Sequence, residues 1–457
     1  MQRNGDFYME KWVIVYEKEC EAKERTVKIM SEKLCCKPEV YSADSAGDDI
    51  WSENIIYVGF CDNGIEISAK DNARGKEKQI IKILGEDEIM LLYAVSEFEN
   101  KYIPIAEYAN THSMPYYLKP AFEGKVPEYD FKSVPKIKRR GFWSWGYVIY
   151  DYKKYIDIMV NLKLNTLIIW NDFVPENVDE VISYAHKNGI YIYLGFAWGW
   201  NTADAAMTDI SDLAPLTESV VETYKKDFAH LPVDGIYFQS FTETAKADIG
   251  GKNIAERVTE FVNETAAKIF EISPKLQLMF GLHATSVKDN IDKLAALDER
   301  IDIIWEDCGS FPYAYLASDV RNFEETKRFS KQLQESKNGF GAVLKGLICL
   351  DWGTFKHQRG VFVLGENDEE FIKNKFEEKR RVWKYVQGFW LKNARFAQRI
   401  ISDFKEDSVI TALCEDGAIE NGIPFPVALM AELMWDADRS LDKLIEETAL
   451  RPDVIFA

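Results

Sequence analysis

The sequence predicts a (β/α)8 TIM barrel preceded by a small α+β domain, an α/β fold overall. The strongest observation is that eight apolar, strand-like runs alternate with helix-like runs after Lys138. The turn Lys187–Gly189 fits a helix-to-strand loop, because glycine there takes a positive φ easily. A doubly wound open sheet is the alternative. A nucleotide-binding fold of that kind is excluded because no G-x-G-x-x-G follows the first strand.

The chain of 457 residues exceeds one ordinary domain. Residues 1–121 predict the small α+β domain, in which an apolar helical pattern at Asp87–Tyr102 packs on short strands. Residues 122–137 hold two prolines and mixed charges and are predicted to be a linker. Residues 138–457 form the predicted barrel with C-terminal helices. The strands expected in the first domain are Trp12–Tyr16, Ile55–Phe60, Ile65–Ala69 and Gln79–Leu84.

Each barrel strand is followed by a helical pattern, in the order that a closed parallel barrel requires. The predicted barrel strands are Arg140–Trp145, Thr166–Trp170, Ile190–Phe196, Gly235–Phe241, Leu276–Leu282, Ile301–Trp305, Ala342–Leu350 and Ser408–Leu413. The predicted helices are Tyr152–Leu162, Val178–Lys187, Glu218–Ala229, Ile254–Ile272, Ile291–Leu297, Phe323–Glu335, Glu369–Leu391 and Val427–Met434.

The composition of the chain limits the kinds of partner that it is expected to bind. A formal net charge of −19 disfavours nucleic acid and anionic lipid, and no apolar run is long enough for a transmembrane helix. The seven cysteines are an odd number without C-x-x-C spacing, and no secretory signal is recognisable, which predicts a cytoplasmic protein. No P-loop, zinc spacing or nucleophile elbow occurs, so neither a metal nor an organic cofactor is implied. Nothing in the sequence decides between a monomer and a homodimer.

Tryptophans recur at the ends of the predicted barrel strands, where such barrels build their active sites. Indole rings there would offer stacking faces for sugars, although large aromatics can also simply cap a barrel. The seven are Trp143, Trp145, Trp170, Trp198, Trp200, Trp305 and Trp352.

Carboxylates at the same strand ends supply candidate catalytic groups. Glu243 ends strand four, and aromatic neighbours there could raise its pKa and keep it protonated as an acid. Glu306 and Asp307 end strand six, and strand alternation predicts that at most one of them faces the barrel axis. Asp351 ends strand seven. His283 and Asn171 are candidate hydroxyl-binding groups beside them, whereas Arg139 and Arg140 enter strand one at the opposite end and are expected to be structural.

Carboxylates flanked by aromatic faces fit glycoside hydrolysis, which needs one carboxylic acid and a second carboxylate as nucleophile or base. A pairing of Glu243 with Glu306 would fit inversion, and a pairing with Asp351 would fit retention. The predicted substrate is a carbohydrate, cleaved at a terminal sugar of an oligosaccharide or glycoside.

Two segments carry a family resemblance. The helix Glu88–Tyr102 resembles the one that ends the N-terminal domain of α-glucuronidases and β-N-acetylhexosaminidases, and Arg140–Trp145 with Tyr155–Leu167 resembles the opening of their barrels. The resemblance implies Glu243 as the acid, with later-strand carboxylates as partners. Hexosaminidases carry an Asp-Glu pair there, whereas this chain has Thr242-Glu243. The α-glucuronidases bind a uronate through basic groups, for which Lys345 and Lys356 are candidates.

Three alternatives to a general glycoside hydrolase remain. A carbohydrate-binding barrel without catalysis would explain Thr242 in place of the aspartate, and a β-N-acetylhexosaminidase-type exo-enzyme would follow from the resemblance. A lyase or isomerase with a divalent metal at Glu306 or Asp307 is a weaker alternative.

Overall fold

The computed structural model describes residues 11–34, 37–109, 119–171, 173–201, 206–207, 212–242, 244, 246–249, 251–283, 286–287, 289–306, 323–336, 338–350 and 360–457. The chain divides into two compact units. The first comprises Met1–Pro135 with Val160–Lys163 and Glu446–Val454, and the second comprises Lys136–Met159, Leu164–Ile445 and Ile455–Ala457.

The first unit contains a six-stranded sheet in the order β2-β1-β3-β5-β4-β6. The pairs β2-β1, β1-β3 and β3-β5 are parallel, and β4 is antiparallel to both β5 and β6. The strands are β1 Trp12–Tyr16, β2 Glu39–Ser42, β3 Asn54–Phe60, β4 Ile65–Asp71, β5 Gln79–Gly85 and β6 Tyr129–Ser133. The helices are α1 Glu21–Lys33, α2 Asp48–Trp51, α3 Glu88–Glu97 and α4 Ile103–Ala109.

The predicted helix after β5 forms because its start is capped and its body is apolar. The Asp87 side chain accepts a hydrogen bond from the Met90 N–H at 2.7 Å, which satisfies a backbone donor that the first helical turn leaves without a partner. The residues from Leu91 to Glu97 are all buried. The expected linker differs in one respect, because residues 129–133 form β6. Its alternate residues are less exposed, as expected for a strand with one face on the core.

The second unit contains the closed parallel barrel that the sequence predicts. Its eight strands close in the order β12-β15-β16-β17-β18-β7-β8-β9. They are β7 Arg139–Trp145, β8 Thr166–Trp170, β9 Tyr191–Ala197, β12 Gly235–Gln239, β15 Gln277–Leu282, β16 Ile301–Trp305, β17 Phe340–Ile348 and β18 Val409–Glu415. Short strands outside the barrel are β10 Trp200–Asn201, β11 Ala206–Met207, β13 Asp248–Ile249, β14 Lys252–Asn253, β19 Ile423–Pro424 and β20 Val454–Ile455.

The remaining helices follow the barrel strands or close the chain. They are α5 Tyr152–Asn161, α6 Val178–Lys187, α7 Ala214–Thr223, α8 Ile254–Ile272, α9 Ile291–Leu294, α10 Phe323–Gln334, α11 Glu369–Ser402, α12 Phe425–Trp435 and α13 Leu441–Ala449. The seventh barrel helix, α11, extends eleven residues beyond its predicted end at Leu391, because the apolar spacing continues through Ala394, Ala397 and Ile401. None of the described helices is both long and apolar enough to cross a bilayer.

The amino end of the barrel holds the two arginines that were expected to be structural. Arg139 Nη1 donates to the Tyr193 hydroxyl at 3.1 Å. Arg140 is fully buried, donates to the Ile137 carbonyl at 2.9 Å, and stacks over the Trp435 ring at 4.7 Å. Both guanidinium groups therefore make contacts within the protein at this end of the barrel.

Candidate active site

The described part of the barrel mouth is centred on Glu306, directly after β16. Its backbone N–H donates to the Leu282 carbonyl at 3.0 Å, so the pairing with β15 continues one residue beyond the assigned strand. Side chains alternate along a strand, so Trp305 points outward, where its ring lies 5.4 Å from that of Phe329 on α10. Glu306 therefore faces the barrel interior and is buried. This is the orientation that the sequence left open between Glu306 and Asp307.

Three neighbours hold the Glu306 carboxylate. The Tyr237 hydroxyl donates to Oε1. Gln239 Nε2, two residues further along β12, lies 2.7 Å from Oε1 and 2.5 Å from Oε2. His283 Nε2, just beyond β15, lies 3.1 Å from Oε2. The carboxylate is thus fixed by three side chains from two neighbouring strands.

Electrostatics keep Glu306 ionised. Burial alone raises the pKa of a carboxyl group, but the charge and hydrogen bond of His283, the charge of Lys345 and the Tyr237 hydroxyl together lower the pKa of Glu306 to about 2. The lowered pKa favours the anionic form of Glu306 inside the barrel at neutral pH, which is the form that accepts a proton.

Lys345 lies at an irregularity in β17. The pairing of β17 with β18 shifts register between Leu344 and Leu347, and Gly346 has a φ of 116°. The Gly346 carbonyl accepts a hydrogen bond from the Trp390 indole at 2.9 Å. Such bulges redirect side chains at barrel rims, and here the bulge lies next to the lysine whose charge acts on Glu306.

A second carboxylate lies at the end of β18. Glu415 is buried, and its Oε1 accepts a hydrogen bond from the Trp145 indole at 2.8 Å. Its strand-end position and the neighbouring tryptophan in β7 bring it into the same barrel interior as Glu306.

The chain turns sharply after Glu415 and buries two further acids. Asp416 has a φ of 52° and accepts bonds from the Tyr150 hydroxyl at 2.6 Å and from Lys379 at 2.5 Å. Glu420 accepts the N–H groups of Tyr150 at 2.7 Å and Asp151 at 3.3 Å. Burial outweighs these bonds and raises the pKa of Glu420 to about 7. These acids tie the loop after β18 to the loop after β7.

The predicted tryptophans separate into two groups. Trp143, Trp145 and Trp170 point into the barrel and belong to its core with Tyr237. Trp143 stacks on Trp170 with centroids 6.0 Å apart, and Trp145 meets Trp143 edge to face. At 4%, 6% and 0% exposure they form a buried aromatic floor and not an open platform.

The second group lies outside the barrel wall. Trp198 stacks on Phe238 with centroids 3.7 Å apart, and Phe238 points away from the interior that its neighbour Tyr237 enters. Trp198 and Trp305 are 0% and 2% exposed. The structure therefore does not bring these two predicted sugar-binding residues to the mouth, because a position at a strand end does not determine the face.

Asn171 and Thr242 make hydrogen bonds within the loops that follow their strands. The Asn171 amide donates to the Phe173 carbonyl at 2.6 Å. Thr242, which the resemblance aligned with the hexosaminidase aspartate, accepts the His283 N–H at 3.3 Å through its hydroxyl oxygen, and its carbonyl accepts from Ser286 at 2.6 Å. Thr242 thereby links the loop after β12 to the residue that pairs with Glu306.

Several predicted site residues lie outside the described residues. They are Glu243, Asp307, Asp351 and Trp352, together with the side chain of Trp200 and the second candidate lysine, Lys356.

Sequence reasoning missed Tyr237 and Gln239, the two β12 residues that hold Glu306. Both lie within β12, whereas the carboxylates predicted from the sequence follow the ends of strands. Their alternate spacing in Gly235–Gln239 was a usable signal, because a tyrosine and a glutamine two apart on one strand share a face.

No family model matches the chain, and no curated protein matches its sequence. Among solved structures, the chain is similar to a β-hexosaminidase from Streptomyces plicatus in complex with its product GlcNAc. The TM-score is 0.53 with 10% sequence identity, over 97% of this chain and 93% of that chain. The two proteins share a fold along nearly their whole lengths.

Two further solved structures are similar to the chain with lower TM-scores. A protein named CpGH84B gives a TM-score of 0.49 with 11% identity over 95% of this chain and 70% of that one. A family 89 glycoside hydrolase from Clostridium perfringens gives 0.44 with 10% identity over 94% and 50%.

Proposed function

We propose that the chain is a glycoside hydrolase that works by carboxylate chemistry at the carboxyl end of its barrel. The observation that carries the proposal is the ionised, buried Glu306, held by Tyr237, Gln239 and His283 at a strand end facing the barrel interior. Carboxylates at these strand ends are typical of barrel enzymes, and the fold shared with a β-hexosaminidase agrees with this class.

Cleavage of a glycosidic bond separates two carboxyl roles. One group donates a proton to the leaving oxygen, and the other, ionised, attacks the anomeric carbon or removes a proton from the attacking water. A pKa of about 2 suits Glu306 to the ionised role. Its negative charge would also stabilise the positive charge that develops on the sugar ring in the transition state.

The proton donor in this proposal is Glu243, the acid that the sequence predicts after β12. It stands one residue beyond Thr242, whose hydroxyl accepts the His283 N–H. The buried floor of Trp143, Trp145 and Trp170 supports the same chemistry, because an apolar floor strengthens interactions between charges near it.

A carbohydrate-binding barrel without catalysis is the second candidate. It is favoured by Glu306 itself, because both carboxylate oxygens already accept bonds from the protein. It is also favoured by Thr242, which stands where the resembling hexosaminidases carry an aspartate. In this case Glu306 would hold His283 and Gln239 in place and would not meet the sugar directly.

The test is a panel of α- and β-aryl glycosides, including N-acetylglucosaminides and glucuronides, with wild type, Glu306→Gln and Glu243→Gln side by side. Glu271→Gln, an exposed change on α8, is the matched control. Turnover of one glycoside that falls at least about 100-fold in both site variants, with the control unchanged, supports the hydrolase. Saturable sugar binding without turnover in wild type would support the binding protein instead.

A further inference from the structure

One flank of α11, next to its buried side, carries a stripe of side chains spaced alternately three and four residues apart. The buried side includes Trp383, Val386 and Trp390. In the stripe, Val382 is 37% exposed, Tyr385 is 60% exposed and Phe389 is half-buried. The stripe consists of Phe371, Lys375, Glu378, Val382, Tyr385, Phe389 and Lys392. Spacing of this kind is the pattern of a helix that packs along a second helix.

We propose that this stripe pairs with the same stripe on a second copy of the chain, with the two helices antiparallel about a twofold axis beside Tyr385. A symmetric pair is the commonest form of assembly for a single kind of chain, and it needs a surface that is complementary to itself. The stripe meets that condition in its charges and in its apolar side chains.

The charges favour the antiparallel orientation. Glu378 lies seven residues before Tyr385 and Lys392 lies seven residues after it. Two antiparallel helices crossing at Tyr385 therefore place Glu378 of each copy opposite Lys392 of the other. A parallel pair would instead place Glu378 against Glu378 and Lys392 against Lys392. Like charges in such positions disfavour a pairing and opposite charges favour it.

The apolar side chains obey the same symmetry. Val382 lies three residues before Tyr385 and Phe389 lies four residues after it, so the antiparallel arrangement brings each Val382 next to Gly388 and Phe389 of the second copy. Tyr385 meets itself on the axis. Tyrosine is enriched at the centre of protein interfaces, because it buries a large surface while its hydroxyl reaches water or a polar partner.

A glycine beside the stripe supports a close helix pair. Gly388 lies near the middle of α11, where glycine destabilises a helix relative to alanine. A Cβ at Gly388 would meet no atom of the described chain within 4 Å, so packing within the chain gives no reason for the missing side chain. The backbone of a second helix could approach closely at this point.

The experiment measures the mass of the full chain by sedimentation velocity from about 1 to about 100 µM, because a single helix pair falls at the small end of stable interfaces. Tyr385→Asp is compared with Tyr108→Asp, a change at a similarly exposed tyrosine, 64% exposed, on α4. We expect a dimer in wild type and in Tyr108→Asp, and at least a tenfold weaker dimer in Tyr385→Asp. A single-chain mass at every concentration, or a dimer that Tyr385→Asp leaves intact, would overturn the proposal.

Charge reversal tests the orientation. Glu378→Lys and Lys392→Glu should each weaken the dimer, and the double variant should restore it, because the opposite charges face each other again with their signs exchanged. In the monomer Glu378 pairs with Lys375 at 3.1 Å, so a purely internal effect of Glu378→Lys would remain in the double variant. Loss of the dimer in both single variants without recovery in the double variant contradicts the antiparallel pairing.

Discussion

Gly281 and Glu306 lie against each other across neighbouring strands of the barrel, so closely that no side chain fits between them. A Cβ at Gly281 would stand 2.2 Å from Glu306 Oε1 and 2.4 Å from the Tyr237 hydroxyl. The pocket for the carboxylate therefore depends on the absence of a side chain on β15. A glycine inside a strand often marks this kind of close approach.

Replacing this glycine tests the geometry of the site. Gly281→Ala should push the Glu306 carboxylate away from Tyr237, lower the free energy of unfolding by about 1–3 kcal/mol and reduce turnover at least about tenfold. Urea unfolding and kcat/KM on the panel substrate measure the two effects. Gly388→Ala, where the new Cβ meets open space, should leave both values at or above wild type when measured below the concentration of association. Unchanged stability and turnover in Gly281→Ala would contradict the observed contact.

The ionised state of Glu306 predicts a specific acid dependence of stability. Its pKa is depressed in the folded chain, so it contributes stability above the unfolded value of about 4.5, and this contribution is lost as pH falls through about 2. The depression corresponds to a contribution on the order of 3 kcal/mol. Glu306→Gln should flatten the decline in unfolding free energy between pH 4.5 and 2, measured by urea unfolding at each pH. Parallel curves for both proteins would show that the pKa of Glu306 is the same in the folded and in the unfolded chain.

Glu420 should respond in the opposite sense. Burial raises its pKa to about 7, so the folded chain binds a proton more tightly than the unfolded chain does. The stability that protonated Glu420 contributes is fully present below about pH 4.5. It is lost as the pH rises through about 7, by an amount on the order of 3 kcal/mol. Glu420→Gln keeps an acceptor for the Tyr150 and Asp151 N–H groups but cannot ionise.

The measurement is the melting temperature of wild type and Glu420→Gln at pH 5 and pH 8. We expect the two proteins to agree closely at pH 5 and the variant to melt at a higher temperature at pH 8. If the melting temperature of Glu420→Gln exceeds that of wild type equally at pH 5 and at pH 8, ionisation of Glu420 is not the cause.

The sequence predicted the barrel and its strand order because apolar runs and helical spacing are local patterns, and eight such pairs in a row have few other solutions. It predicted Glu306 as a candidate because a carboxylate directly after an apolar strand is also a local feature. It did not identify Tyr237 and Gln239 as its partners, because that contact depends on the register between β12, β15 and β16, which no single segment encodes. The predicted position of Trp198 and Trp305 at the barrel mouth was wrong for a related reason. Whether a residue points into or out of the barrel depends on where its strand begins.

The first unit offers a test of a buried ion cluster that is separate from the barrel chemistry. Glu97 is 2% exposed, and its two oxygens lie 2.7 Å from Lys101 Nζ and 2.8 Å from Lys163 Nζ. Lys101 also lies 3.7 Å from Glu447, whereas Glu97 is the acid that both lysines share. Removing one charge of a buried ion pair typically costs about 3–5 kcal/mol. Glu97→Gln should therefore destabilise the first unit by about this amount, and the loss should appear in urea unfolding followed by circular dichroism. Glu66→Gln is the control, because its pair with Lys132 at 2.7 Å is exposed and is expected to contribute about 0–1 kcal/mol. A loss in Glu97→Gln no larger than in Glu66→Gln would mean that water reaches the cluster and screens its charges.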